Sequence, residues 1–95
     1  MKVFISQPMM NRSNEILMRE RSKVKQELIS EGHEVVDSLF TLPEGKNTPL
    51  HYLAKSIELI AECDAVVFMK DWDLSRGCVM EHEIALQYNK FVKIL

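Results

Sequence analysis

The sequence predicts an α/β domain built on a four-stranded parallel sheet. Short β-rich runs alternate with longer stretches of helical periodicity, giving the order β-α-β-α-β-α-β. One of those runs, Ala65–Met69, is continuously apolar, as a strand buried on both faces beneath helices should be. At 95 residues the chain has the length of one domain, enough to bury a core but with little to spare.

The elements follow in order. Lys2–Ser6 is the first strand, and Pro8 stops it by removing a ladder donor. Asn11 and Ser13 are candidate N-caps for a long helix in which Ile16, Leu17, Val24, Leu28 and Ile29 recur at helical spacing. Gly32 ends it as a C′ residue, and His33–Asp37 reads as the second strand. Residues 40–49, with Pro43, Gly45, Asn47 and Pro49, form the one irregular stretch. Leu50–Glu62 is the second helix and Ala65–Met69 the third strand. Residues 72–77 form a turn, Cys78–Tyr88 the third helix, and Phe91–Leu95 the last strand. Right-handed crossovers then give a sheet in order 2-1-3-4, a small Rossmann- or flavodoxin-like three-layer sandwich with no internal repeat or linker.

Composition narrows the function. Apolar residues make up 46% and charged residues 27%, so the chain is globular rather than disordered. Twelve basic against fourteen acidic side chains give a charge of −2, and no basic field exists to hold a nucleic-acid polymer. The apolar runs are too short for a membrane span or a signal peptide. Cys63 and Cys78 read as the reduced thiols of a cytoplasmic protein. The partner expected is a small molecule.

Ligands of parallel sheets bind at the carboxyl ends of the strands where the winding reverses. That places the pocket between residues 6–12 and 69–81. Ser75-Arg76-Gly77-Cys78-Val79-Met80-Glu81-His82 is the strongest constellation there. A turn, a glycine and a helix start offer free N–H groups to an anion, and Ser75 and Arg76 add a hydroxyl and a charged fork. Glu81 lies four residues past Gly77, one helical turn inward, where its carboxylate can face a ligand. The plain alternative makes Ser75 a helix cap and Glu81 a solvated acid favoured by the helix dipole.

At these residues the chain resembles the nucleoside 2-deoxyribosyltransferase superfamily. Phe4-Ile5-Ser6-Gln7-Pro8-Met9 is similar to its opening strand and loop, and Cys63–Phe68 to its third strand. Ser75-x-Gly77-x-x-x-Glu81-x-x-x-Ala85 matches its nucleophile motif except that Glu83 stands where glycine is usual. Ser75 is closer to the branch of deoxynucleoside 5′-monophosphate N-glycosidases. The closest likeness is to a compact bacterial and phage branch that shares the Gln-Pro-Met loop and the run from Arg76 to His82.

The resemblance implies that Glu81 is catalytic. It attacks C1′ of a 2-deoxyribosyl group, displaces the base, and is released by a second base or by water. Ser6, Gln7, Pro8, Met9, Arg12, Ser56, Trp72, Ser75, Arg76, Gly77 and His82 are the expected substrate-binding residues. This chemistry needs no cofactor and no metal, and the family's assemblies imply a homodimer or higher homo-oligomer. The chain departs from the pattern at three points. Ser56 stands where the family has its second acid, Phe4 where it has a tyrosine, and Gln7 where it has a glycine. His82, or an acid such as Asp71 or Asp73, is the candidate to substitute for the missing donor.

Other residues have readings of their own. Cys78 is expected to be a packed small residue, and His51 and Cys63 are too scattered for metal-ligand spacing. Trp72 either stacks on a base or covers a core edge. One of Met9 and Met10 lines the pocket or a subunit contact. Arg19 and Arg21 read as solvated helix face, with Arg12 near enough the first loop to reach a phosphate. Two further function classes compete with the enzyme: a non-catalytic binder of a nucleotide-like ligand, and a structural domain with a vestigial pocket.

Overall fold

The computed structural model describes residues 1–9 and 12–95. Met10 and Asn11, and with them the proposed Asn11 cap, lie outside the described residues. Four parallel strands, β1 (Lys2–Ser6), β2 (Glu34–Val36), β3 (Ala65–Phe68) and β4 (Phe91–Ile94), pair in the order β2-β1-β3-β4. This is the expected 2-1-3-4 sheet. Three helices flank it: α1 (Asn14–Ser30), α2 (Pro49–Ala61) and α3 (Arg76–Gln87).

The strand alternation sorts the core into two layers. Val3, Ile5, Ala65 and Val67 face α1, where Leu28 and Val24 pack on them. Phe4, Val66 and Phe68 face the other way, against Ile60 of α2 and Ala85 of α3. Every residue of β3 is buried, which explains its unbroken apolar run. β4 is a largely exposed edge.

Local chemistry sets the helix boundaries. Ser13 accepts from the Ile16 N–H at 3.3 Å and starts α1. Gly32, at φ +91°, ends it: the His33 N–H reaches the Leu28 carbonyl and the Gly32 N–H the Ile29 carbonyl, the paired bonds of a Schellman motif. Thr48 caps α2 with Pro49 in its first turn, so the helix begins one residue before the expected Leu50. Asn89 at φ +59° plays the Gly32 role for α3.

Other expected boundaries shift as well, with β2 confined to Glu34–Val36 instead of His33–Asp37. α3 begins at Arg76 rather than Cys78, because the Ser75 hydroxyl accepts from the Cys78 N–H at 3.5 Å and acts as its N-cap. Residues 72–74 tighten into a single 3₁₀ turn. Among the described residues no helix is long and apolar enough to cross a membrane.

Candidate functional site

Winding reverses between β1 and β3, and at their carboxyl ends the chain leaves an opening. Ser6 and Phe68 are the last paired residues of these strands, and the Met69 N–H closes the ladder on the Ser6 carbonyl at 3.0 Å. Beyond that point lies a cavity of about 430 Å³. Its walls are the first loop (Gln7, Met9), the segment after β2 (Ser38 to Phe40), one face of α2 (Tyr52, Leu53, Ser56) and the start of α3 (Ser75, Gly77, Cys78, Glu81).

Glu81 stands in the second turn of α3, on the buried stripe Cys78, Glu81, Ala85. Only 7% of its surface is exposed. The Ser6 hydroxyl donates to its Oε1 at 2.7 Å, so the first strand and the third helix meet at the carboxylate. Burial pushes the Glu81 carboxyl above its ordinary range, and the hydroxyls of Ser6 and then Ser56 pull it part of the way back. The solvated first-turn acid is therefore excluded. Cys78, buried beside it, has its thiol pushed up by burial, against the pull of Ser6 and Ser75, and packs as a neutral small residue.

The pKa direction makes two expectations about acid and base. A carboxyl whose folded pKa is raised binds its proton more tightly folded than unfolded. Its contribution to stability therefore declines as pH climbs from the ordinary carboxylate range through the raised folded value. Ser6→Ala removes the hydroxyl donor and moves the Glu81 pKa higher still. A pH titration of the Glu81 carboxyl, followed by carbon NMR in both proteins, is expected to show that upward shift; an unchanged or lowered midpoint contradicts it.

Gly77 does not need glycine for backbone reasons. A Cβ built there meets no atom within 4 Å, so the position keeps open space between this cavity and a neighbouring hollow of about 470 Å³. Arg76 lines that second hollow, with Leu50, Leu53 and Met80, rather than the cavity holding Glu81.

Several expected binding residues lie elsewhere. Trp72 stacks on His82 with ring centroids 4.4 Å apart, and both rings sit against Phe68. This aromatic cluster seals the edge of the α2–α3 core layer and is not part of the cavity wall. Arg12 is held by Asp71 at 2.8 Å and Glu20 at 3.3 Å, so its guanidinium is already paired. Asp71, His82 and Asp73 do not line the cavity. Pro8 is buried and does not line the cavity, and Ser6, also outside its wall, acts through its bond to Glu81.

The cavity instead recruits residues the sequence did not single out. Arg21, read as solvated helix face, is 5% exposed and lines the cavity. It donates to the Ser38 hydroxyl, which in turn donates to the Ile5 carbonyl at 2.8 Å. Burial lowers the Arg21 pKa and Asp37 opposes the shift, so the guanidinium stays charged. Tyr52 stacks on Phe40 at 5.7 Å and accepts from the Leu42 N–H, pinning the irregular stretch to α2. A legible signal existed for Arg21. It occupies the same stripe as Leu17, Val24 and Leu28, and a cation in an apolar stripe has to be paired or used.

Among the described residues, no group of three or more histidine, cysteine or acidic side chains is placed to hold a metal ion. Asp64 of the third-strand motif has a backbone role: its carboxylate accepts from the Lys2 N–H at 2.8 Å and anchors the start of β1.

Fold and cavity together define a small three-layer α/β domain with a buried carboxylate at the switch point of a parallel sheet. The chain belongs to the DUF4406 family, a domain of unknown function, whose model matches residues 1–94. No curated protein matches the chain.

Proposed function

We propose that the protein cleaves the N-glycosidic bond of a 2′-deoxynucleoside or deoxynucleotide, with Glu81 as the nucleophile, and passes the sugar to water or to a second base. The observation that carries this reading is the buried Glu81 carboxylate in a cavity large enough for a nucleoside, with Ser6 holding one oxygen. The motif likeness to the nucleoside 2-deoxyribosyltransferase superfamily supports the same assignment.

A Glu81 oxygen attacks C1′ while the C1′–N bond breaks and its electron pair leaves with the base. Water, or the nitrogen of a second base, then attacks C1′. The ester C–O bond breaks, Glu81 departs as a carboxylate, and the attacking group's proton passes to solvent. Burial raises the energy of the Glu81 carboxylate, which favours its neutralisation by ester formation. The Ser6 hydroxyl holds Oε1 and so orients the carboxylate for attack.

Leu50, at 72% exposure, and Met80 line the neighbouring hollow and give a second copy of the chain an apolar surface to cover. Incubation with the four 2′-deoxynucleosides and their 5′-monophosphates, read by chromatography, is expected to release free base from at least one. No base from any of them at high enzyme concentration would end the enzyme reading.

Binding without turnover is the second reading, and a specific observation favours it. Glu81 is the one carboxylic acid among the described residues that line the cavity. Saturable binding of a deoxynucleoside with no release of base, and affinity unchanged in Glu81→Gln, would select it.

A further inference from the structure

A lone acid leaves the departing base without a proton donor, and two side chains of the cavity wall each carry a buried polar atom without a partner. Arg21 Nη1 and Gln7 Oε1 are the buried side-chain atoms without a hydrogen-bond partner among the described residues. Both side chains line the cavity, and each is more than nine-tenths buried.

They are also neighbours through one oxygen. Gln7 Nε2 donates to the Leu17 carbonyl at 2.9 Å, which fixes the amide with its oxygen free as an acceptor. In a regular helix that same carbonyl takes the Arg21 backbone N–H. The amide head of Gln7 therefore lies within a helical turn of Arg21. Arg21 Nη2 donates to Ser38, which is itself bonded to the Ile5 carbonyl at the end of β1, and Nη1 is left unbonded. A charged donor and a neutral acceptor, both desolvated and both unmet, cost folding free energy that a ligand can recover.

We propose that Arg21 and Gln7 form the leaving-group subsite, which takes a nucleobase with a carbonyl oxygen next to a ring N–H and stabilises it as it departs as an anion. This rests on the N-glycosidic reaction above. As the C1′–N bond breaks, its electron pair enters the ring and spreads onto the carbonyl oxygen facing Arg21. The ring N–H donates to Gln7 Oε1. The base then takes a proton from water after release. A fixed guanidinium in a water-poor wall stabilises such charge well and needs no pKa matched to the reaction.

Thymine, uracil, hypoxanthine and guanine carry that edge. Adenine and cytosine present an amino group and leave poorly unless protonated, so they are the disfavoured bases. A phosphate group would satisfy Arg21 but would set anionic oxygen against Gln7 Oε1.

Two arms test the assignment. In the first, base release from thymidine and from 5-fluoro-2′-deoxyuridine, whose base is the more acidic leaving group, is compared between the natural protein and Arg21→Met. The variant is expected to slow thymidine by roughly a hundredfold and the fluorinated substrate by at least tenfold less, with Arg21→Lys recovering part of the loss. Equal losses on both substrates, or release of adenine and cytosine as fast as thymine, would overturn the assignment. In the second arm, calorimetry with the natural protein compares free thymine with 3-methylthymine. Methylation is expected to weaken binding about tenfold or more, and equal affinities would overturn the subsite even if Arg21→Met fails to fold. Should the natural protein release no base at all, the reaction and the leaving-group role fall together. A thymine affinity lost on methylation would in that case still assign the subsite its base.

Discussion

Replacing Glu81 with glutamine is expected to slow base release by roughly three orders of magnitude or more, with the fold intact. An amide cannot form the sugar ester, and loss of a covalent nucleophile costs on that order in rate. The change is almost isosteric, and the amide oxygen can still accept from the Ser6 hydroxyl. Because burial opposes the charged form of Glu81, the neutral side chain is expected to hold or raise stability near neutral pH. Single-turnover chromatography beside thermal unfolding separates the two effects. Turnover within tenfold of the natural protein would remove Glu81 from the chemistry. A collapse in melting temperature would show that its role is architectural.

The second large effect concerns stability. Phe68→Ala is expected to cost roughly 3–5 kcal/mol, out of a total that for a domain of this size is about 5–15 kcal/mol. Phe68 is fully buried, pairs with Ser6 at the end of the ladder, and lies beneath both Trp72 and His82. Truncation leaves a void that the two remaining rings cannot close, because Trp72 and His82 are already stacked on each other. Denaturant unfolding is expected to show a lower midpoint with an unchanged slope. A loss below about 1 kcal/mol would mean that the cluster repacks freely and that Trp72 is available for another task.

The architecture was legible because each element carries its own physical signal. The unbroken burial of Ala65–Phe68 wrote itself as an apolar run, Gly32 marked a left-handed helix end, and Ser13 offered a cap. Glu81 was legible too, through its place one turn past Gly77, though its burial was not. What the sequence hid depends on how distant segments meet. Trp72 and His82 are ten positions apart, and nothing local says that their rings stack instead of facing a ligand. Arg12 looks free in the sequence, yet Asp71, fifty-nine residues away, claims it.

Arg21 shows the converse. Its charge suggested solvent, while its register with Leu17 and Leu28 placed it inside. Glu81 does the same on α3, between Cys78 and Ala85. In both helices the informative residue is the ionisable one that interrupts a buried stripe, since a fold retains such a group at a cost. The polar rim supplied by Ser38, Tyr52 and Ser56 follows only once the chain between β2 and α2 is placed.

The proposed reaction passes through a bond between one Glu81 carboxylate oxygen and a sugar carbon. Acid quenching during turnover of a deoxynucleoside, followed by intact-mass and peptide mass spectrometry, looks for that bond directly. A mass gain of one 2-deoxyribosyl unit, located on Glu81 and missing from Glu81→Gln, is the predicted result. Base release with the sugar attached to some other residue, or undiminished in Glu81→Gln, would contradict it.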